Sequence, residues 1–417
     1  MNALLNSPSP FAAEWMLDPN IIFLNHGSFG ACPKAILKRQ QELRNQMESE
    51  PLRFMEQEYP VLLNESRQRL ARFVGAKSEH LVFVRSVTQA VNSVLRSYPF
   101  EDGDEILTTD HEYNACANVA RFIADHPNDP SKTARKVHFV AANVPYPIQS
   151  PDNVFEALMA KVNDQTRLVL IDHVTSPSGF LQPIERIIVE MNRRGIDTLI
   201  DGSHSVGMIP LDLEKLNATF FTSNCHKWLC TPKGSAFLWV RNDWAERIYP
   251  STISHGYNWS VPDNPKLHDL FDWPGTDDFT PWLCVGDTIL FLENLLDDRS
   301  GKLEKLAQHN HDLIIAARRL LCQRLDSEPV CPESMLTSLA AIALPDEKEP
   351  PRLKFFHAAS ALHPIHVRLL EEFKIEVPVF NWTAYPKLTL RIAAQLYNDL
   401  SQYEKLADAL DIIFRVH

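Results

Sequence analysis

The sequence predicts an α/β fold: a large, mostly parallel sheet of the seven-stranded type, followed by a smaller α+β C-terminal lobe. Three observations lead there. Seven short apolar runs follow one another between Leu81 and Val240, helix-like stretches such as VFEALMAKV and IERIIVEMNRR separate several of them, and the strand rhythm stops after Val285. Strands alternating with helices indicate a parallel sheet covered on both faces, because each parallel crossover needs a long connection. At 417 residues the chain exceeds one simple core, so two lobes are expected.

In chain order, Pro33 opens a helical pattern carrying Ile36, Leu37, Leu43 and Met47, and Pro60 to Val74 reads as a second helix. The apolar runs are Leu81–Val84, Glu105–Leu107, Val137–Val140, Arg167–Ile171, Thr198–Ile200, Thr219–Phe221 and Ala236–Val240. Two long helical patterns follow, DTILFLENLL and LEKLAQHNHDLIIAARRLLCQRL, and then a mixed region. The charged, proline-paired stretch DEKEPPR at 346–352 reads as an exposed loop. The expected division is an N-terminal arm over 1–20, packed on the small lobe, a large domain over 21–292 and a small domain over 293–417.

A net charge of -12 argues against a nucleic-acid surface, which needs clustered Lys and Arg. No apolar run approaches the length of a membrane span and the N-terminus lacks a basic signal region, so a cytoplasmic address is expected. Seven cysteines lie scattered without CxxC or zinc spacing, which points to neither a disulfide framework nor a thiol metal site. The triplet HNH at 309–311 places its two histidines on different helix faces and reads as exposed; no metal is expected. No GxGxxG follows a strand, so a dinucleotide site has no support.

The informative stretch is DGSHSVG at 201–207 with TFFTSNCHKWLCTPKGSAFLWV at 219–240. Asp201 ends one expected strand and Lys227 follows another. Ligands of open α/β sheets lie beyond the carboxyl ends of strands, so both side chains can reach one crevice. Singly, an aspartate there is often a helix cap and a lysine a solvated side chain. Together an amine and a carboxylate suit pyridoxal 5′-phosphate (PLP), which needs the first for a Schiff base and the second to keep its ring nitrogen protonated.

DGSHSVG, NCHKW and PKG resemble the fold-type I PLP-dependent enzymes of aminotransferase class V, in particular the isopenicillin N epimerase-like branch. The class also holds cysteine desulfurases and the C–S lyase of ergothioneine synthesis. The resemblance runs from LNHGSFGACP at 24–33 to LTLRIAAQLYN at 388–398. It implies the PLP-dependent transferase fold, Lys227 as the Schiff-base lysine and α-proton base, Asp201 as partner of the pyridine nitrogen, and His204 beside the phenolic oxygen. For the phosphate it implies the Ser86–Val87–Thr88 turn, where free N–H groups at a helix start suit a dianion, together with Asn224 and His226. Ordinary N-capping is the alternative for Ser86 and Thr88.

In register, Tyr113 of EILTTDHEYNA takes the ring-stacking position that many relatives fill with His, and His111 is the competing choice, because a small gap in the register would swap them. Ser176 takes a cofactor-approaching position. Arg391 matches the carboxylate-binding arginine, with a strand-end salt bridge as its alternative, and Asn25 and His26 are expected at the substrate entrance. Gly275 and Thr276 resemble a turn that reaches the neighbouring subunit's phosphate, which implies a homodimer with shared sites. Many relatives carry Arg after that Thr; this chain has Asp277.

The expected activity is abstraction of the α-proton of an amino acid, with epimerisation favoured and Tyr113 as the second catalytic group. A PLP-dependent C–S lyase acting on a cysteine conjugate or sulfoxide is the alternative, and a non-catalytic PLP-binding protein the remaining one. Persulfide chemistry is not expected, because KIEVPVFNWTAYPKLTLR at 374–391 has no cysteine and the last one is Cys331.

Overall fold

Between Leu81 and Val240 each apolar run becomes a strand, and outside the edge strand His138–Ala142 nearly every strand residue there is buried, as expected for a sheet covered on both faces. The computed structural model describes residues 8–125, 136–357 and 360–415. The first strands are β1 (Ile22–Phe23), β2 (Leu81–Val84), β3 (Glu105–Thr109), β4 (His138–Ala142) and β5 (Thr166–Asp172). They continue as β6 (Asp197–Asp201), β7 (Phe220–Ser223), β8 (Ala236–Val240) and β9 (Leu339–Leu344). The last are β10 (Lys354–His357), β11 (Ser360–Leu362), β12 (Ile375–Glu376), β13 (Val379–Asn381) and β14 (Leu388–Ala393).

The large sheet has seven strands in the order β2-β8-β7-β6-β5-β3-β4, all parallel except β8, which runs against both neighbours. Alternation decides which core each side chain joins. Leu168, Leu170, Leu199 and Phe220 face a core with the helices Val87–Ser97 and Asn114–Asp125. Val169, Ile171, Ile200 and Phe221 face the other core, with the helix Ile184–Arg194. Because β8 reverses between β2 and β7, the carboxyl ends of β2, β3, β5, β6 and β7 share one edge.

A three-stranded antiparallel sheet, β13-β14-β9, carries the second layer, with the helices Glu304–Leu325 and Leu400–Arg415 beside it. Strand β1 pairs with β12, so the N-terminal stretch is tied to the C-terminal region, and Trp15 lies edge-on to Tyr397 at 5.4 Å. Of the expected arm, residues 1–7 lie outside the described residues. The helix Thr280–Leu296 runs through the expected division at Leu292 and packs on Lys34–Ser49 and Tyr59–Val74. No helix among the described residues is long and apolar enough to cross a membrane.

The helix opened by Pro33 begins at Lys34, and in the second, Tyr59–Val74, Pro60 follows directly on the π turn Phe54–Glu58, where the wider turn accommodates a residue without an N–H. The loop 346–352 is largely exposed. The HNH triplet is not exposed: Asn310 is fully buried and donates to Gln395 Oε1 at 3.2 Å, and both histidines are half-buried. Its helix is covered by the C-terminal helix as well as by β9, so fewer of its faces meet water than a surface helix shows.

The turn after β6 is pressed against the loop after β7. Gly207 has φ +84°, and a Cβ there would lie 2.5 Å from Leu229 N and Trp228 C. Gly207→Ala should therefore destabilise the protein by at least about 2 kcal/mol, from backbone strain and overpacking. Urea unfolding measures it, and an unchanged midpoint would contradict the close approach.

Candidate active site

Three loops leave the shared strand edge and meet around Lys227. After β7 the chain turns tightly, Lys227 N donating to Asn224 O and Cys230 N to Lys227 O. His26 fixes the same carbonyl. Its Nε2 lies 3.0 Å from Lys227 O, an acceptor only, so Nε2 carries the proton and Nδ1 accepts from the Tyr397 hydroxyl at 2.7 Å. His26 is thus buried behind the lysine main chain, which corrects its expected place at the substrate entrance; the apolar surroundings push its imidazole down to about 3.

Burial pushes the Lys227 amine down to about 8, partly opposed by Asp201 and reinforced by Arg391. About a tenth of that amine is then neutral near pH 7, far more than for an ordinary lysine, and the neutral form is what a nucleophile or base requires. Its nearest polar contact is His204 Nε2 at 3.3 Å, and His204 Nδ1 accepts from the Trp228 indole N–H at 2.9 Å.

Asp201 lies at the floor, fully buried, accepting from Ser203 N at 2.8 Å and from the Cys116 thiol at 3.1 Å. Asp172 ends β5 directly beside it in register. One ligand atom each of Glu112, Cys116 and Asp201 falls within 4.8 Å of the others. Burial, then neighbouring carboxylates, push Glu112 and Asp172 well above the usual carboxylate range. Oε1 of Glu112 and Oδ2 of Asp172 have no hydrogen-bond partner. Sequence reasoning missed Glu112, Cys116 and Asp172. Only the side-by-side ends of β5 and β6 and the first turn of the helix Asn114–Asp125 bring them to Asp201; the acidic DHE within DHEYNA was the available signal.

On the other side, Ser86 caps the helix Val87–Ser97, its hydroxyl accepting from Gln89 N at 3.2 Å. Val87 N donates to Asn224 Oδ1 at 3.0 Å, and Asn224 Nδ2 donates to Ser203 Oγ at 3.1 Å, which joins the three loops. Thr88 lies in the first helical turn, where an amide has no carbonyl four residues back. His226 directs Nδ1 at Ser235 O, 2.9 Å away. Gly275 and Thr276 stand in an open turn, and Asp277 makes an ion pair with Arg85, next to the Ser86–Thr88 turn. The departure from Arg is answered within the same chain by a charge of the opposite sign.

Arg391 reaches the site from β14. Its guanidinium donates to Ser176 O, Ser176 Oγ (3.4 Å), Ser28 Oγ (3.0 Å) and Asn25 Oδ1 (3.4 Å), and its buried Nε has no partner. Among the described residues no ion pair with a carboxylate engages it, so the strand-end salt bridge is not made; burial lowers it to about 10. Asn25 itself is anchored by Glu376, at 2.8 Å.

Tyr113 is 42% exposed, whereas His111 is buried against Trp382 at 5.0 Å and bonded to Ser178. Burial, then Cys116 and Asp201, hold the Tyr113 phenol above its ordinary value, so it keeps its proton. The thiols are enclosed: every cysteine is buried except the half-buried Cys322, and burial pushes Cys331 up to about 11.

These residues fit PLP. Unsatisfied acceptor oxygens surround the floor carboxylate, where a protonated ring nitrogen would be neutralised, a depressed amine suits an aldehyde, and a capped helix start suits a phosphate.

Residues 22–316 match the family described as Aminotransferase class-V. The isopenicillin N epimerase of Amycolatopsis lactamdurans is 32% identical, with 94% of this chain and 95% of that protein covered. A probable chloroplastic L-cysteine desulfhydrase of Arabidopsis thaliana is 26% identical, covering 95% of this chain and 84% of its own. A mutant of C-DES with glycine covalently linked to its PLP cofactor superposes with a TM-score of 0.74 at 19% identity, over 96% of this chain and 99% of that one.

The five imidazoles of His26, His111, His173, His204 and His226 are all held by burial below 6.5. The unfolded chain binds those protons first, so their stabilising effect is complete above pH 6.5 and is lost as pH falls toward the folded values. Glu112 and Asp172, raised by folding, act in the opposite sense. With His268, His309 and His363 also lowered by burial, and Asp272 also raised by it, eight imidazoles against three carboxyls among the described residues leave net proton uptake on unfolding. The urea midpoint of the apo-protein should fall between pH 7 and 5.5, with a slope of about 1.4 kcal/mol per pH unit for each uncompensated proton. A midpoint that rises on acidification would contradict it.

Proposed function

The chain belongs to the aminotransferase class-V family of PLP-dependent enzymes and has its fold-type I architecture, and on that premise we propose that it epimerises the α-carbon of an amino acid. The observation that carries the reading is Tyr113: a partly open, protonated phenol among the electrostatic neighbours of Asp201 and Arg391, available as a second proton carrier beside Lys227. The higher identity to an isopenicillin N epimerase than to a desulfhydrase supports it further.

When bound, PLP condenses with amines through its aldehyde and draws an electron pair from the α-carbon into its ring. The chain's residues divide the remaining work. Lys227 holds the cofactor and, once displaced, removes the α-proton, for which an amine lowered to about 8 is suited. Asp201 keeps the ring nitrogen protonated, and Glu112 and Asp172, held neutral, deepen that end without adding full charge. His204 lies at the phenolic end. Ser86, Val87, Thr88, Asn224 and His226 form the phosphate end, and Ser176 backs Arg391.

Arg391 orients the substrate carboxylate, because a buried guanidinium with only neutral partners keeps its charge for an anion. Tyr113, the more open of the two candidates, would stack on the cofactor ring and, keeping its proton, would serve as the donor opposite Lys227, in preference to the enclosed His111. We further assign a homodimer in which the open Gly275–Thr276 turn completes the partner's phosphate end; the exposed Tyr257, Trp259 and Val261 in the preceding segment would be covered by the same contact.

The second reading is a C–S lyase acting on a cysteine conjugate or sulfoxide. It rests on the desulfhydrase relative and uses the same first step, with the leaving group departing from Cβ. Turnover of amino acids in deuterated water separates the two. An epimerase returns intact amino acid of both configurations carrying α-deuterium, and Tyr113→Phe should slow inversion by about 100-fold or more while sparing exchange. Release of pyruvate with a thiol or sulfenic product, and no inverted amino acid, would overturn the epimerase reading in favour of the lyase.

A further inference from the structure

Directly after Lys227 stands Trp228, a fully buried side chain that no role above accounts for. Its ring lies 4.9 Å from that of His26, and its indole N–H points at His204 Nδ1 at 2.9 Å. An indole N–H only donates, so Nδ1 of His204 must accept. Desolvation, together with the nearby charges of Lys227 and Arg391, opposes a second proton on that ring. A neutral imidazole that accepts at Nδ1 carries its proton on Nε2, and Nε2 is the atom facing Lys227 Nζ at 3.3 Å.

We propose that Trp228 is a positioning residue that fixes the tautomer of His204, making His204 Nε2 an obligatory hydrogen-bond donor toward the Lys227 nitrogen and the phenolic oxygen of the cofactor. The proposal rests on the assignment of Lys227 and His204 made above. Such a donor favours whichever partner offers a free electron pair, so it disfavours the protonated form of the lysine nitrogen. The other groups facing that nitrogen are Asp201 on β6, Asp172 on β5, Cys116 on the helix Asn114–Asp125 and Arg391 on β14. None of them touches the indole N–H, and His26 presents its ring to Trp228 while its nitrogens are taken by Tyr397 and Lys227 O. Replacing the indole therefore alters one input among several.

The experiment is a pH titration of the visible absorption of the resting holoenzyme, with no substrate present. Trp228→Phe keeps an aromatic ring and removes the donor; Nδ1 is then free to hold the proton, and the spectral midpoint should rise by about half to one pH unit, the worth of one hydrogen bond. His204→Gln supplies a side-chain amide that donates without help from residue 228. In that background Trp228→Phe should leave the midpoint where it is, which is the coupling that a tautomer role requires. Equal shifts in both backgrounds would show a packing effect, and no shift in either would show that the indole sets nothing; both overturn the proposal. Borohydride reduction and peptide mapping of the wild-type holoenzyme report separately on the site: label on a lysine other than Lys227 would sink the assignment of the site itself, whatever the titrations show.

Discussion

Holding one lysine amine out of water among fixed charges is the constraint on which the remainder of the site depends. Desolvation lowers the Lys227 amine most, and Arg391 pushes the same way, while the Asp201 carboxylate pulls against both. The result is an amine poised near 8 instead of one fully charged or fully inert. That balance requires the carboxylates to lie at strand ends and the guanidinium to arrive from another sheet. Both follow from topology: β5 and β6 end side by side, and β14 belongs to the three-stranded sheet.

The carboxyl cluster shows how a buried group is kept neutral by its neighbours. Three carboxyls and a thiol share the floor, and like charges so close in a dry setting cannot all ionise. Glu112 and Asp172 are the two carboxyls driven up, and the Cys116 thiol, which donates its S–H to Asp201, is held protonated by burial and then by the neighbouring Asp201 charge. A cationic ring nitrogen placed there would relieve the strain of the remaining charge. Such a cation would be met there by the Asp201 carboxylate and by acceptor oxygens of Glu112 and Asp172 that have no partner.

Legibility in the sequence followed the range of the interaction. All seven strands of the large sheet could be read, because each is an apolar run bounded by turn residues, and Asp201 and Lys227 could be read because they stand at the ends of such runs. Asp172 stood equally at a strand end, but only the register with β6 places it against Asp201. His26 was misplaced because its neighbours are Tyr397 and the Lys227 carbonyl, some 371 and 201 residues away. The HNH triplet failed for the same reason: its partner Gln395 is 85 residues on, and spacing on one helix cannot show which other helix covers it. That Tyr113 is open and His111 enclosed could not be read in one dimension either, because the ring that covers His111 is Trp382, far along the chain.

Arg391 joins these threads. Its guanidinium is held by Ser176 from the loop after β5, by Ser28 and Asn25 from the N-terminal segment, and by its own place in β14, so three separate stretches of chain fix one charge. Every one of those partners is a neutral oxygen. Neutral acceptors give direction without cancelling charge, whereas a carboxylate in the same place would have satisfied the guanidinium and closed it to an incoming anion. Its idle Nε is the consequence. Because the β14 strand and the β5 loop belong to different sheets, the residue proposed to hold a substrate carboxylate is fixed at the junction between them, by partners that leave its charge uncancelled.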